Sequence, residues 1–218
     1  MNTRPDPTGR ARRVHVRGFI TSAGFAEGHR FVVGCWPDSP VGPICDVMWA
    51  TPENERILLV PSDVAGEFIT SIYQFDAVRT GPLHVECDGR RTTVRGHKLA
   101  LDLVGGRRRP IPIRRPLAIT RHVEAPIARL LMGVETYGIS PTGAREWYQS
   151  RGWRWVTRGT AALDGRDLGP PGPLAAPVGV GFSEPPHRPS IVSVRVTIEP
   201  PTTPLPLPQR MAQRLDRA

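Results

Sequence analysis

The sequence predicts an α+β fold: a strongly bent, mainly antiparallel sheet or partial β-barrel with about three short helices. Three observations predict it. Apolar and polar residues alternate with period two over many short segments. Glycine (22) and proline (25) are abundant among the 218 residues, which favours short elements joined by turns over long helices. Strand-like and helix-like segments do not alternate as β-α-β-α, which argues against a doubly wound parallel sheet. With 39% hydrophobic residues the chain can bury a full core, and no long polar linker divides its middle. The expected organisation is a disordered basic arm over 1–12, a single α+β domain over 13–199 and a Pro-rich tail over 200–218.

The elements follow in order. Arg13 to Thr21 alternates Val14 and Val16 with His15 and Arg17, as a half-buried strand does. Arg30 to Trp36, Ile44 to Ala50 and the short apolar run Arg56 to Val60 are three more strands, the first two separated by the turn-rich PDSPVGP. Ser62 is placed to cap a helix carrying Val64, Phe68, Ile69, Ile72 and Tyr73 on one side, with Asp63 early in it. Val78 to Cys87 and Arg91 to Val104 flank Asp88-Gly89, the clearest hairpin signal in the chain. RRRPIPIRRP cannot be a central strand, because its prolines lack ladder donors. Pro126 and Gly133 bracket a second short helix, IARLLM.

Gly133 to Pro170 carries three of the five tryptophans. Ser140 as N-cap, Pro141 at the first helical position and Gly152 as C′ frame a third helix bearing Trp147 and Tyr148. Trp153 to Leu163 then reads as a strand ending at Asp164-Gly165. Trp147 and Trp155 are expected to be buried, with Trp153 on the same face as Trp155. A Pro/Gly loop over 165–189 precedes a last strand, Ile191 to Ile198. PPTTPLPLP is polyproline-like and could serve a proline-recognising partner.

The net charge is +9 and has one source. Between Arg90 and His122 lie nine arginines and Lys98 against one acid, Asp102, while the rest of the chain balances. Lys98 is the only lysine among 29 basic residues, a bias that GC-rich codon usage explains without a ligand. Three cysteines (Cys35, Cys45, Cys87) without metal-ligand spacing suit reduced thiols. There is no apolar signal-peptide core and no run long enough to span a membrane, so the expectation is a cytoplasmic protein with no membrane partner. Dinucleotide, phosphate-loop, zinc-protease and nucleophile-elbow motifs are absent, so neither a cofactor nor a metal is expected.

Four constellations can carry chemistry. His84 and Glu86 share one face of a strand, a geometry that suits a proton relay or two metal ligands and, more often than either, a solvated strand edge. Lys98 and Asp102 share a face of the next strand. In a dry cavity that lysine would lose its proton and become nucleophilic, which no arginine can do, and on an outer face it is only a solvated charge. The arginine band, with Arg95, Arg114, Arg115 and Arg121, offers guanidinium forks for a carboxylate or phosphate. Finally, GVGFSEPPHRPS can place Ser183, Glu184 and His187 on a pocket rim.

The stretches GCWPDSPVGPICDVMWATP, TYGISPTGAREWYQSRGW and VGVGFSEPPHRPS resemble those of an uncharacterised family of small proteins from GC-rich bacteria, and that resemblance implies no activity. The succession of strands, short helix and closing strands is more faintly similar to acetoacetate-decarboxylase-like barrels. That likeness implies a cavity-bearing barrel. The Schiff-base lysine of those enzymes stands beside a second lysine, and Lys98 has neither that neighbour nor the surrounding motif. The expected function is therefore binding of a small anionic or carboxylate ligand in a sheet-lined pocket, with catalysis left open. The alternative is a nucleic-acid or polyanion-binding protein that uses the Arg90–Arg121 band.

Overall fold

The computed structural model describes residues 13–110 and 136–200. The strands are β1 (Val14–Gly24), β2 (Arg30–Asp38), β3 (Ile44–Ala50), β4 (Arg56–Val60), β5 (Ala77–Thr80), β6 (Leu83–Cys87), β7 (Arg91–Gly96) and β8 (Leu99–Gly105). They continue with β9 (Arg109–Pro110), β10 (Tyr137–Ile139), β11 (Arg145–Leu163), β12 (Arg166–Asp167) and β13 (Ser190–Glu199). One sheet contains them all, in the order β5-β4-β3-β2-β1-β13-β11-β8-β7-β6, with β9, β10 and β12 attached to β11. Every pairing is antiparallel except β4 with β5. The sheet curls so strongly that β6 comes back over β2 and β3, giving a half-barrel.

The expectation of about three short helices is overturned. Among the described residues there is one α-helix, α1 (Asp63–Thr70), and a single 3-10 turn at Ala26–Gly28. Ser62 caps α1 by accepting the Ala65 N–H through its side chain. The helix expected over IARLLM lies outside the described residues. The one expected after Ser140 is a turn and then a strand. Ser140 Oγ does accept a backbone N–H, from Ala144 at 3.1 Å, but the five residues close a tight loop between β10 and β11. Gly152 has φ +152 and sits at a bulge in β11 instead of ending a helix. Packing outweighs the local helix signals: in the extended form Glu146 and Tyr148 reach one side of the sheet, while Trp147 packs at a tilt against Tyr137, with ring centroids 5.2 Å apart, on the other. The long strand expected over Arg91 to Val104 is likewise two strands, β7 and β8, joined by His97 and Lys98, both with positive φ.

β11 explains how the sheet turns its corner. Its first half pairs with β13 and its second half with β8, with register shifts between Ser150 and Gly152 and between Val156 and Arg158. Bulges add local twist and bend the strand that carries them. β2, β3 and β4 are buried on both faces, which is why ILLV and FVV read as continuous apolar runs. On the inner side of the curl, Phe31, Val33, Val47, Ile57 and Leu59 pack against Val94, Leu99, Leu101 and Leu103. On the opposite side, Val32, Met48, Leu58 and Val60 are covered by Phe68, Ile69 and Ile72 and by Val178 and Val180 of the Pro/Gly loop. No helix among the described residues is long and apolar enough to cross a membrane.

Candidate functional site

A cavity of about 160 Å³ lies between this second face of the sheet and the layer formed by the α1 end and the Pro/Gly loop. Its walls are mostly apolar, from Ile20, Val32, Met48, Val192 and Val194 on the strands and Val178 and Val180 on the loop. The strand period of two brings them to one side. Against that background the polar groups stand out. Asp46 on β3 has no exposure, and Trp36 Nε1 donates to its Oδ1 at 2.9 Å. Gly34 makes room for this pair: a Cβ there would lie 2.2 Å from Asp46 Oδ1 and 2.3 Å from Trp36 Nε1. Asp46 Oδ2 has no partner among the described residues, and neither does the buried Nε1 of Trp153, which lines the same cavity. Burial pushes the Asp46 carboxyl up to about 6, opposed by the Trp36 hydrogen bond.

A second cluster closes one wall. Tyr73 follows α1, and Tyr148 lies on β11; both line the cavity. Their hydroxyls contact each other and both meet Glu146 Oε2, at 2.9 Å from Tyr73 and 3.0 Å from Tyr148. Glu146 is fully buried behind them, and its Oε1 has no partner among the described residues. Burial lifts this carboxyl to about 7, against the lowering effect of the two phenol hydrogen bonds. Both phenols are held well above their ordinary range, first by burial and then by the neighbouring Glu146. Phe182 leans on Tyr148 with ring centroids 5.8 Å apart and lies where a Cβ on Gly138 would be, which seals that corner.

Ser183 and Glu184 line the cavity, and the Glu184 carboxylate accepts the Val178 and Gly179 N–H groups at 2.7 and 2.8 Å, which folds the loop onto itself. His187 of the same loop is exposed and does not line it. The other sequence-selected residues lie elsewhere. His84 and Glu86 contact each other at 3.1 Å on the outer face of β6, with their side chains about 70% exposed (72% and 71%). Lys98 sits in the β7–β8 turn, 74% exposed, 2.9 Å from Asp164. Asp102 faces outward on β8 and is paired with Arg91, whose hydrogen bonds hold its carboxyl below the usual range. Arg95 is on the same outer face and donates to the Val94 and Leu101 carbonyls. Arg114, Arg115 and Arg121 lie outside the described residues. The four residues selected as catalytic therefore form surface pairs and do not meet at a common centre.

No family model, curated protein or solved structure matches this chain. The cavity chemistry has to be read from its own residues. What reading the sequence missed is the acid set: Asp46 in ICDVMWA and Glu146 in REWYQS. Each had a usable signal, since each is one carboxyl inside an otherwise apolar or aromatic strand segment, where a charged group is rarely left buried without a purpose or a partner. Among the described residues no cluster of His, Cys, Asp and Glu could hold a metal ion.

Proposed function

We propose that the protein binds a small, mostly apolar molecule in the sheet-lined cavity, with the ligand's polar end on Asp46. The observation that carries this reading is the free Oδ2 of a fully buried carboxyl at the wall of an otherwise apolar cavity. A buried polar atom without a partner costs about 1–3 kcal/mol, and a ligand donor that satisfies it recovers that energy. Trp153 Nε1 supplies a complementary donor. The volume sets the size: a cavity of about 150 Å³ accepts benzene, so the ligand has on the order of six to ten non-hydrogen atoms. An anion does not suit the walls, because no arginine, lysine or histidine among the described residues lines them. A carboxylic acid would enter in its neutral form, its O–H donated to Asp46.

The test is a calorimetric comparison of phenol and benzyl alcohol with benzoate at neutral pH. The neutral donors are expected to bind and Asp46→Ala to abolish binding. Benzoate binding with phenol silent would reverse the charge assignment.

The polyanion reading keeps one supporting observation. Arg107, Arg108 and Arg109 are exposed, and Arg17 stands directly opposite Arg195 across β1 and β13. Like charges in that position repel and would welcome a phosphate. Its signature is an affinity for single-stranded nucleic acid that falls steeply with salt.

A further inference from the structure

We propose that the cavity moves a proton at the carbon next to a carbonyl group, with Asp46 as the base and the Tyr73–Tyr148 pair, backed by Glu146, as the cradle for the carbonyl oxygen. This rests on the pocket reading above and adds a reaction to it. The geometry supplies both halves of such a site. Asp46, whose Oδ2 has no partner among the described residues, lines the cavity from β3. Two phenol hydroxyls, joined to each other and to one carboxyl oxygen, face it from the α1 end and from β11. Both halves line the same space of about 160 Å³.

Counting hydrogens decides what the cradle can do. If Glu146 is ionised, both phenol hydrogens go to Oε2 and none is left for a ligand. If Glu146 holds its proton, three hydrogens serve three oxygens. The carboxyl donates to one phenol, that phenol donates to the other, and the last hydroxyl hydrogen is free to point at a carbonyl oxygen. A carboxylic acid kept neutral by an apolar site, so that it supports a hydrogen-bond donor, is an established device for holding an enolate oxygen. Glu146 is therefore a positioning residue, since the cavity is lined by the tyrosines in front of it.

The step balances without a cofactor. Asp46 removes a proton from the α-carbon: that C–H bond breaks, an O–H bond forms on Asp46, and the electron pair moves onto the carbonyl oxygen under the phenol. Returning the proton to the same carbon gives hydrogen exchange. Returning it to the far carbon of a β,γ-unsaturated ketone gives the conjugated isomer. Asp46 must be ionised and Glu146 protonated. With the two carboxyls raised to about 6 and about 7, these conditions overlap only in a narrow range between them. The titratable groups lining this space are Asp46 from β3, Tyr73 from the α1 end, Tyr148 from β11 and Glu184 from the loop, whose carboxylate is held by two backbone N–H groups; Glu146 stands behind the tyrosines.

The experiment uses the full chain with cyclohexanone in deuterated water, followed by proton NMR, and the β,γ-isomer of cyclohexenone, followed by the absorbance of the conjugated product. Phenol binding, through its hydroxyl on Asp46, is measured in parallel as the probe of the pocket. Catalysis is expected to exceed that of an equal concentration of acetate by about a hundredfold or more, as general acid–base groups provide. The pH profile should be a narrow bell with limbs near 6 and 7. Asp46→Asn, which keeps an acceptor oxygen for the phenol hydroxyl but is no base, should abolish turnover while phenol still binds, and Tyr148→Phe and Tyr73→Phe should lower both. Glu146→Gln should remove the upper limb alone, an effect that loss of folding would not mimic. Phenol binding with turnover no faster than acetate, or Asp46→Asn as active as the native chain, overturns the reaction and leaves the pocket standing. Failure of phenol and cyclohexanone to bind overturns both.

Discussion

The substitution Glu146→Gln turns the burial of one carboxyl into a pH measurement. In the fold this group sits behind Tyr73 and Tyr148 with no exposure, and burial moves it from 4.5 to about 7. Below about 4.5 the folded and unfolded chains both carry the proton, so the group adds no penalty. Between the two values the folded chain binds more protons than the unfolded one, and stability therefore falls as pH rises. Above about 7 the folded protein must hold a carboxylate away from water, at a cost of about 3 kcal/mol. That is a large share of the roughly 5–15 kcal/mol that holds a domain folded. Glutamine keeps an acceptor for the phenols and never ionises. Urea unfolding of the native chain and of Glu146→Gln, each near pH 4 and near pH 8, should show the variant gaining about 3 kcal/mol relative to the native chain across that interval. Asp46, lifted from 3.8 to about 6, acts in the same sense but is present in both proteins and cancels. Parallel stability curves would refute the reasoning, because they would mean that Glu146 is solvated or ionised without cost.

Two further outcomes follow from the packing. Trp147 is 6% exposed, whereas Trp153 and Trp155 share a half-buried face, with Trp155 covered partly by the Arg188 guanidinium at 5.0 Å. Trp147→Ala should cost about 3–5 kcal/mol and Trp155→Ala clearly less, read as the difference in their thermal midpoints. Lys98→Arg should leave stability within about 0.5 kcal/mol, and borohydride trapping with keto acids should give no adduct at Lys98, because the amine lies at the surface beside Asp164 and not in a dry cavity.

Much of the sheet was legible because its signals are local. Asp88-Gly89 does join β6 to β7, and Ser62 does cap α1. The continuous run ILLV marked a strand covered on both faces. The third helix failed for a reason the local signals could not carry. Ser140-Pro141 and Gly152 are as suitable for a loop and a bulge as for two helix ends, and the choice between them is made by β13, forty residues away in sequence, which pairs along Arg145 to Trp155. The candidate site followed the same pattern. Ser183 and Glu184 drew attention because a Gly/Pro loop announces itself, and both line the cavity. Asp46, Tyr73, Glu146 and Tyr148 were not, since they are neighbours only after the sheet has curled, and nothing in their own segments points to one another. The visible charges, Lys98, Asp102, His84 and Glu86, drew attention for the property that keeps them at the surface: each finds water or an opposite charge there.

The pairing of β1 with β13 has a consequence for synthesis. Val14 lies opposite Ile198 and Ser22 opposite Ser190, so the first strand of the described residues is completed by the last of them. At translation rates of about 5–20 residues per second, β1 leaves the ribosome roughly ten to thirty seconds before its partner exists. During that interval β1 presents a bare row of N–H and C=O groups, the template on which strands of other molecules can pair. A premature stop before Ser190 should yield insoluble material and not a smaller folded domain.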